Sequence, residues 1–341
     1  LGDYAAALQD YARAIELQPD QAYFYDERAT IHRELGHDLN AALQDCNRAI
    51  ALNPQSGNYV SWRGWTHYLM GDYSAALQDY ARAIELQPDR ASLFIERATI
   101  HRELGHDLIA ALEDCNRAIE LAPQNGDLFY KRGAIHLSLG DPNSALSDLS
   151  RAIELQPNDG ANFAARGQVR FEVGDYAAAL QDCNRAIELA PQNGDFFFTR
   201  ARIHRAMGNH QTAIRDYSNA IELQPNDGTN FAGRGWTYYQ MGDYPAALQD
   251  YARAIELQPD RAYFYDERAT IHRELGQDLN AALQDYNRAI ELNPQSGNYV
   301  SWRGWTYFQL GDYATALQDY ARAIELQPDR ASFFSERATI H

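Results

Sequence analysis

Two histidines and a glutamate lie close together in the segment His32-Arg33-Glu34-Leu35-Gly36-His37, and residues 101–106 repeat the arrangement. Imidazole and carboxylate groups are common ligands of zinc in proteins. The spacing is not that of the HExxH zinc helix, however, and the glycine interrupts the helical face on which such ligands must lie. In a third copy of the segment, Gln277 replaces the second histidine. We therefore expect no metal site in this segment.

The first histidine of this segment recurs along the chain, and tyrosine replaces it at Tyr238 and Tyr307. The histidines at this position are His32, His67, His101, His136, His204, His272 and His341. Neighbouring copies lie about one repeat apart, which is too far for them to share a metal whose bonds are about 2 Å long. We predict that they are core residues.

Motifs of enzyme active sites are absent from the sequence, which has no glycine-rich phosphate loop, nucleophile elbow or paired CxxC. The run Gly233-Arg234-Gly235 lies within a predicted helix and lacks the strand that precedes a dinucleotide-binding loop. We therefore expect a protein that uses no cofactor and is not an enzyme.

Net charge and composition limit the classes of partner that we expect. The net charge of −17 argues against nucleic acid, because a phosphate-binding face needs clustered cations. No apolar run approaches the roughly 20 residues of a membrane span, so we expect no membrane insertion. Cys46, Cys115 and Cys183 occupy one repeat position, two repeats apart, and are predicted to be unpaired core residues. The cellular compartment is not readable from the sequence: a filament would be expected outside the cell, and an adaptor in the cytoplasm.

The residues discussed so far belong to a unit that returns every 34 or 35 residues, which is typical of stacked-repeat proteins. Its apolar landmark is found at Leu8, Leu43, Leu77, Leu112, Leu146, Leu180, Ile214, Leu248, Leu283 and Leu317. In the copy from Gly71 to Pro88, small and apolar residues at helical spacing predict an amphipathic helix that the proline ends. Residues Tyr59 to Met70 predict a preceding helix, joined to it by a turn at Gly71-Asp72.

This unit resembles the tetratricopeptide repeat (TPR), a helix–turn–helix of 34 residues with small residues, aromatic residues and a proline at fixed positions. The small residue of the first helix is Ala29, Gly64, Ala98, Gly133, Gly167, Ala201, Gly235, Ala269, Gly304 or Ala338. The second helix carries Ala7, Ala42, Ala76, Ala111, Ala145, Ala179, Ala213, Ala247, Ala282 or Ala316.

The resemblance covers essentially the whole chain and implies an all-α fold, a right-handed TPR solenoid built as a single array. We expect nine full hairpins over residues 20–328. A lone second helix would precede them at residues 1–19, and a lone first helix would follow at residues 329–341.

One departure from the common TPR pattern is an arginine in every first helix, where leucine is usual, and an aspartate in every second helix. The arginines are Arg28, Arg63, Arg97, Arg132, Arg166, Arg200, Arg234, Arg268, Arg303 and Arg337. The aspartates are Asp10, Asp45, Asp79, Asp114, Asp148, Asp182, Asp216, Asp250, Asp285 and Asp319. Within a hairpin the two types face each other across antiparallel helices, which predicts a repeated, partly buried ion pair such as Arg63–Asp79.

In TPR proteins, the first helices line a concave groove that often binds an extended peptide. The matching positions of this chain are rich in aromatic and arginine side chains, the types that dominate protein interfaces. They are Tyr23, Arg33, Trp65, Tyr68, Arg102, Tyr130, Phe171, Phe198, Arg202, Arg205, Trp236, Tyr239, Tyr263, Arg273, Trp305 and Phe308. The alternative for each residue taken singly is half-buried packing. Ser61 and Trp65, or Asp26 and Thr30, stand where some TPR co-chaperones have a lysine–asparagine carboxylate clamp, so we do not expect a chaperone-tail receptor.

A longer period is superimposed on the repeats, because residues 1–101 and 241–341 differ at only 14 of 101 positions. This period of 240 residues and the uncapped terminal helices favour a structural protein that stacks head to tail with itself into a filament or a longer array. The alternative is a soluble adaptor that binds a peptide or another protein in the aromatic and arginine-rich groove.

Overall fold

The computed structural model describes residues 4–34, 38–104, 107–275 and 278–340, and the regular secondary structure of these segments is entirely α-helical. The helices are α1 (Tyr4–Leu17), α2 (Ala22–Glu34), α3 (Leu39–Leu52), α4 (Gly57–Leu69), α5 (Tyr73–Leu86), α6 (Ala91–Leu104), α7 (Leu108–Leu121), α8 (Gly126–Ser138), α9 (Pro142–Leu155), α10 (Gly160–Glu172), α11 (Tyr176–Leu189), α12 (Gly194–Ala206), α13 (His210–Leu223), α14 (Gly228–Gln240), α15 (Tyr244–Leu257), α16 (Ala262–Leu275), α17 (Leu279–Leu292), α18 (Gly297–Gln309), α19 (Tyr313–Leu326) and α20 (Ala331–Ala338). The predicted all-α fold is confirmed.

Helices of even number are the first helices of the repeat, and helices of odd number are the second helices. First helices pack on the second helices that follow them in the pairs α2–α3, α4–α5, α6–α7, α8–α9, α12–α13, α14–α15, α16–α17 and α18–α19. Second helices also pack on the next first helix, as α5 does on α6 and α13 on α14. Nine helix pairs from α2 to α19 agree with the predicted number of hairpins.

The turn between α4 and α5 shows why the sequence reads Gly-Asp at this point. Gly71 has a φ of 78°, a left-handed conformation that a side chain disfavours. The carboxylate of Asp72 then accepts a hydrogen bond of 3.1 Å from the backbone N–H of Ala75, which caps the second helix. Helix α4 begins two residues earlier than predicted, because Ser56 caps it through the N–H of Tyr59. The turn residues 35–37, 105–106 and 276–277 lie outside the described residues.

The interior of each hairpin is built from the small residues that define the repeat. Ala76 and Ala83 of α5 are fully buried, and Tyr80 between them is 2% exposed. Small side chains allow the helices to approach each other, and one large ring per hairpin fills the space that is left. The three cysteines take the position of this ring and are buried and free, as predicted.

Among the residues that the structure describes, the predicted arginine–aspartate ion pair is seen in eight hairpins. In each, the guanidinium donates from Nε and Nη2 to the two carboxylate oxygens of one aspartate, as Arg63 does to Asp79 at 2.9 and 2.5 Å. The other pairs are Arg28–Asp45, Arg97–Asp114, Arg132–Asp148, Arg200–Asp216, Arg234–Asp250, Arg268–Asp285 and Arg303–Asp319. Asp182 accepts a hydrogen bond of 2.8 Å from Nη1 of Arg170.

Contacts divide the chain into two compact units, Leu1–Val169 and Arg170–His341, with the division inside α10. Each unit is a stack of helical hairpins. Within the described residues, no helix combines the length and the apolar character needed to cross a membrane.

The histidines predicted to be core residues are half-buried in the described part of the chain. His67 lies with its two ring nitrogens 3.9 Å from the carboxylates of Asp72 and Asp79. Burial lowers the pKa of His204. No group of three or more histidine, cysteine, aspartate or glutamate side chains is arranged to hold a metal among the residues that the structure describes. His37, His106, Gln277 and His341 lie outside those residues.

Candidate protein-binding site

All sixteen predicted groove residues lie on first helices, and most of them keep part of their side chain accessible to solvent. Tyr23, Tyr130 and Tyr263 are the most exposed of the aromatic residues, at 54%, 37% and 40%. The remaining aromatic residues and Arg102, Arg202 and Arg205 are partly exposed. An exposed face with this composition is unusual, because large aromatic side chains are ordinarily buried.

Aromatic residues one helical turn apart form pairs on this face. The rings of Trp65 and Tyr68 on α4 stack with their centroids 4.9 Å apart. The Trp236–Tyr239 pair on α14 and the Trp305–Phe308 pair on α18 have the same spacing, with centroids 5.0 Å apart in each. Such contacts hold the rings in place before any partner binds.

The tyrosine of the first pair is fixed further by the next hairpin. Its hydroxyl donates a hydrogen bond of 2.7 Å to the carboxylate of Glu103, and this bond raises the pKa of Tyr68 to about 12. Tyr239 donates in the same way to Glu274. The aromatic face is therefore tied to the adjacent first helix, which makes it rigid.

In the first unit, a cavity of about 260 Å³ opens between α4 and α6. Its walls include Trp62, Trp65, Tyr80 and Glu96. Burial raises the pKa of Glu96, and the positive charge of Lys131 opposes this effect. The cavity thus joins aromatic rings to a carboxylate whose ionised form is disfavoured.

In the second unit, a cavity of about 250 Å³ brings together five of the predicted groove residues from three first helices. They are Phe198, Arg202, Arg205, Trp236 and Tyr263. We refer to this space as the α12–α14–α16 cavity. The guanidinium of Arg202 lies 5.0 Å from the centroid of the Phe171 ring, so a sixth predicted residue adjoins the cavity. Phe171 itself packs on Tyr176 with centroids 5.8 Å apart.

Two acidic residues of α16 make the second unit's cavity electrostatically distinctive. Burial, and then the neighbouring charge of Asp266, raises the pKa of Glu267 to about 7. Burial also raises the pKa of Asp266 to about 6, and its Oδ1 is enclosed without a hydrogen-bond partner among the described residues. Arg205 opposes the shift of Glu267. At neutral pH the cavity therefore holds a carboxyl group close to its titration midpoint.

Models of the tetratricopeptide repeat match residues 1–57, 58–90, 130–194, 194–227, 231–261 and 301–330. The chain belongs to the tetratricopeptide repeat family. Among curated proteins, no significant match was found.

Solved TPR-type structures resemble this chain over most of its length. Yeast Tom70 has a TM-score of 0.58 at 16% identity, over 99% of this chain and 91% of its own. A tetratricopeptide repeat protein from Parabacteroides merdae has a TM-score of 0.61 at 21% identity, over 74% of this chain and 99% of its own. A chain of the APC/C hetero-tetramer Cut9–Hcn1 has a TM-score of 0.59 at 13% identity, over 99% of this chain and 82% of its own. At these identities the likeness concerns the fold.

Two of the predicted groove residues of this TPR chain are buried. Arg33 and Arg273 are each 8% exposed, although they occupy the same repeat position as the accessible Arg205. A tryptophan of the next hairpin covers each of them: Trp62 lies over Arg33 and Trp302 over Arg273. These two arginines therefore help to join successive repeats.

The sequence interpretation did not assign Glu96, Glu267 or Gly233 to a binding face, although all three line the cavities. They share one repeat position with the covering tryptophans, two residues before the small residue of the first helix. This position varies from tryptophan to glutamate to glycine along a TPR array that is otherwise uniform. That variation is the sequence feature by which the residues could have been found.

Proposed function

We propose that this protein is a non-enzymatic TPR scaffold that holds an extended segment of a partner protein along the face formed by its first helices. The observation that carries the proposal is the α12–α14–α16 cavity. Three successive first helices, α12, α14 and α16, contribute five of the predicted groove residues to this cavity. A surface assembled from several repeats suits an elongated ligand, because consecutive side chains of the ligand can meet consecutive helices.

The residue types on this face favour a protein partner. Tyrosine, tryptophan and arginine offer large contact areas together with hydrogen-bonding groups, and they are enriched where interface energy is concentrated. The rings are held by stacking and by tyrosine–glutamate hydrogen bonds, so little side-chain freedom is lost on binding. The net charge of −17 disfavours nucleic acid.

The family supports the same class of function. TPR proteins generally act as protein-interaction scaffolds rather than as enzymes. One chain of similar fold belongs to a hetero-tetramer with a second kind of protein, the Cut9–Hcn1 assembly. We extend to this chain only the general property of binding a protein, because the identities are low.

The test is a variant in which Trp65, Trp236 and Trp305 are all replaced by alanine. These rings are partly exposed and head the three aromatic pairs, so their loss should abolish capture of a partner protein from a lysate. The control replaces Ile109 by alanine, at an exposed apolar position of the second helix α7. Identified partners should then bind the wild-type chain and the control in direct calorimetric titrations.

Thermal melting followed by circular dichroism checks that the triple variant is folded. If a folded triple variant captures the same partners with unchanged affinity, the proposed binding face is wrong. If the second-helix control loses binding instead, the partner lies on the opposite face of the hairpins.

End-to-end self-association is a second candidate function, and the repetition of residues 1–101 at 241–341 favours it. A surface that recurs after 240 residues would give a growing assembly identical contacts at regular intervals. Negative-stain microscopy over a range of concentrations tests this hypothesis directly. Filaments would support it, and discrete short particles at every concentration would contradict it.

A further inference from the structure

The junctions between successive hairpins contain a recurring group of three side chains. At the junction of α2, α3 and α4, the guanidinium of Arg33 lies 5.1 Å from the ring of Trp62. Nη1 of the same arginine lies 3.3 Å from Sγ of the buried Cys46, and Nη2 donates a hydrogen bond of 2.6 Å to Thr30. An arginine, a buried residue of the second helix and a covering tryptophan thus form one packed group, which we name the Arg–Trp stack.

The second unit contains the same stack at the junction of α16, α17 and α18. The guanidinium of Arg273 lies 4.8 Å from the ring of Trp302. Its Nε donates a hydrogen bond of 3.2 Å to the hydroxyl of Tyr286, which takes the position of the cysteine. The two stacks lie 240 residues apart, at matching positions of the near-identical segments 1–101 and 241–341, and in both an indole ring covers an arginine.

A third junction has the arginine and the buried second-helix residue of the stack, but not the tryptophan. In both stacks the arginine follows the small residue of its own first helix by four positions, and the tryptophan precedes the small residue of the next first helix by two. The residues at these positions around α12, α13 and α14 are Arg205 and Gly233, and the buried second-helix residue is Tyr217. Glycine stands where the covering indole should be.

This glycine, which has no side chain, lies in the wall of the α12–α14–α16 cavity. Arg205 and Tyr217 line the same cavity. The ring of Tyr217 packs directly against this glycine: a Cβ atom built on Gly233 would lie 2.5 Å from the ring, so a side chain at this position requires the ring to move. The Tyr217 hydroxyl is buried without a hydrogen-bond partner among the described residues. Its counterpart Tyr286 is bonded to arginine. A buried, unpaired hydroxyl is costly and indicates a missing partner group.

We propose that this cavity binds the indole side chain of a tryptophan supplied by the partner protein, against Arg205, as Trp62 and Trp302 lie against the matching arginines at two other junctions. The inference rests on the proposed function, since it names the chemistry by which the first-helix face recognises its partner. The electron-rich face of the ring would lie against the Arg205 guanidinium, a cation–π contact. The indole N–H would be a donor for the Tyr217 hydroxyl, which can accept it.

Other side chains complement the cavity less well. A lysine or arginine of the partner would be repelled by Arg205, which lines the space. An aliphatic side chain would leave both the guanidinium and the hydroxyl without a polar or aromatic partner. The remaining walls, which include Phe198, Trp236 and Tyr263, are aromatic and suit a flat ring.

The probe for this inference is N-acetyl-L-tryptophanamide, and its binding to the intact chain is measured by saturation-transfer NMR titration, with N-acetyl-L-leucinamide as the comparison ligand. Gly233→Trp places an indole at the cavity from within the chain and requires the Tyr217 ring to move. It should weaken binding of the tryptophan probe by about tenfold or more. Tyr217→Phe and Arg205→Met should each weaken it by roughly 2- to 10-fold, since each removes one polar or cation–π contact.

Lys131→Trp is the matched control. Lys131 occupies the same repeat position as Gly233, and Arg102 and Cys115 complete the pattern of the first stack there. This variant adds an indole outside the α12–α14–α16 cavity and should leave binding of the probe unchanged. Circular dichroism melts show whether each variant is folded, and Tyr217→Phe and Arg205→Met test the site even if Gly233→Trp does not fold.

The inference is overturned if the tryptophan and leucine probes bind alike, if the wild-type chain binds neither, or if a folded Gly233→Trp variant binds the tryptophan probe as the wild type does. These results differ from failure of the proposed function. If the triple tryptophan variant loses its partner protein but the wild-type chain does not bind the tryptophan probe, the scaffold function stands and the indole site is rejected. Binding of the probe without any protein partner would keep the site and reject the scaffold function.

Discussion

The guanidinium of Arg234 holds both carboxylate oxygens of Asp250, with Nε 2.8 Å from Oδ2 and Nη2 2.8 Å from Oδ1. The aspartate side chain is 7% exposed and the arginine side chain 21%. This ion pair joins α14 to α15 across the hairpin, and the described part of the chain shows the same geometry in seven other hairpins. Its burial distinguishes it from the arginine–glutamate pairs on the surface of the second helices.

We expect Asp250→Asn to lower the free energy of unfolding by roughly 2–4 kcal/mol, because it leaves a partly buried guanidinium without its counter-charge. The matched control lies in the same helix, where Arg253 and Glu256 pair at 2.8 Å with side chains that are 49% and 65% exposed. Glu256→Gln should cost at most about 1 kcal/mol, since solvent screens that pair. Urea unfolding followed by circular dichroism measures both changes. Equal losses would mean that burial does not set the strength of the hairpin pair.

The turn glycine supplies a second prediction. Gly71 has a φ of 78° and no atom of another residue within 4 Å of a Cβ built on it, so the conformation of the backbone alone opposes a side chain. Gly71→Ala should destabilise the chain by about 1–2 kcal/mol. Ser74→Ala, at an exposed position of α5, is the control and should be neutral or slightly stabilising. A fall in melting temperature that is the same in both variants would contradict the prediction.

Much of the fold was predictable because the same residue types recur at the same positions of successive repeats. An alanine such as Ala76 that returns in ten copies marks a contact too close for a larger residue, and the arginine and aspartate that return with it mark a pairing across the hairpin. The first helices lie where the repeat pattern predicts them, and five of the residues assigned to the groove line one cavity. Agreement between local pattern and period makes such inferences secure.

The burial of Arg33 and the accessibility of Arg205 could not be predicted from those residues themselves. Whether an arginine at this position reaches solvent depends on a residue of the next hairpin, which is Trp62 in one case and Gly233 in the other. The α12–α14–α16 cavity is likewise a property of three helices together. Position-by-position comparison of the repeats would have revealed the glycine, but not that the Tyr217 ring packs against it.

A third prediction concerns the closest helix packing. Ala76 is fully buried, so Ala76→Leu must force apart α4 and α5 and should destabilise the chain by roughly 1–3 kcal/mol. The neighbouring position offers a natural control, because Ala75 is matched by Thr315 in the repeated copy 240 residues further on. Ala75→Thr should therefore change the free energy of unfolding by less than about 0.5 kcal/mol. An Ala76→Leu variant as stable as Ala75→Thr would show that the interface has room to spare.

The fourth prediction follows from the pKa of Glu267, which is raised to about 7, first by burial and then by the neighbouring charge of Asp266. An acid with a raised pKa in the folded chain binds its proton more tightly there than in the unfolded chain, where the ordinary value is 4.5. Stability should therefore fall as the pH rises from about 4.5 to about 7, and the loss should be complete above that range.

Glu267→Gln removes this loss, because the amide stays neutral at every pH. At pH 8 the variant should be more stable than the wild type by about 1–2 kcal/mol, less than the full conversion of the pKa shift because solvent reaches part of the side chain. At pH 4 the two should be equally stable, since the wild-type carboxyl group is then protonated in both states. Asp260→Asn, at an exposed loop position, is the control for a general change in net charge. Melting curves at pH 4, 6 and 8 decide the question: a difference between Glu267→Gln and the wild type that does not vary with pH would show that the pKa of Glu267 is the same in the folded and the unfolded chain.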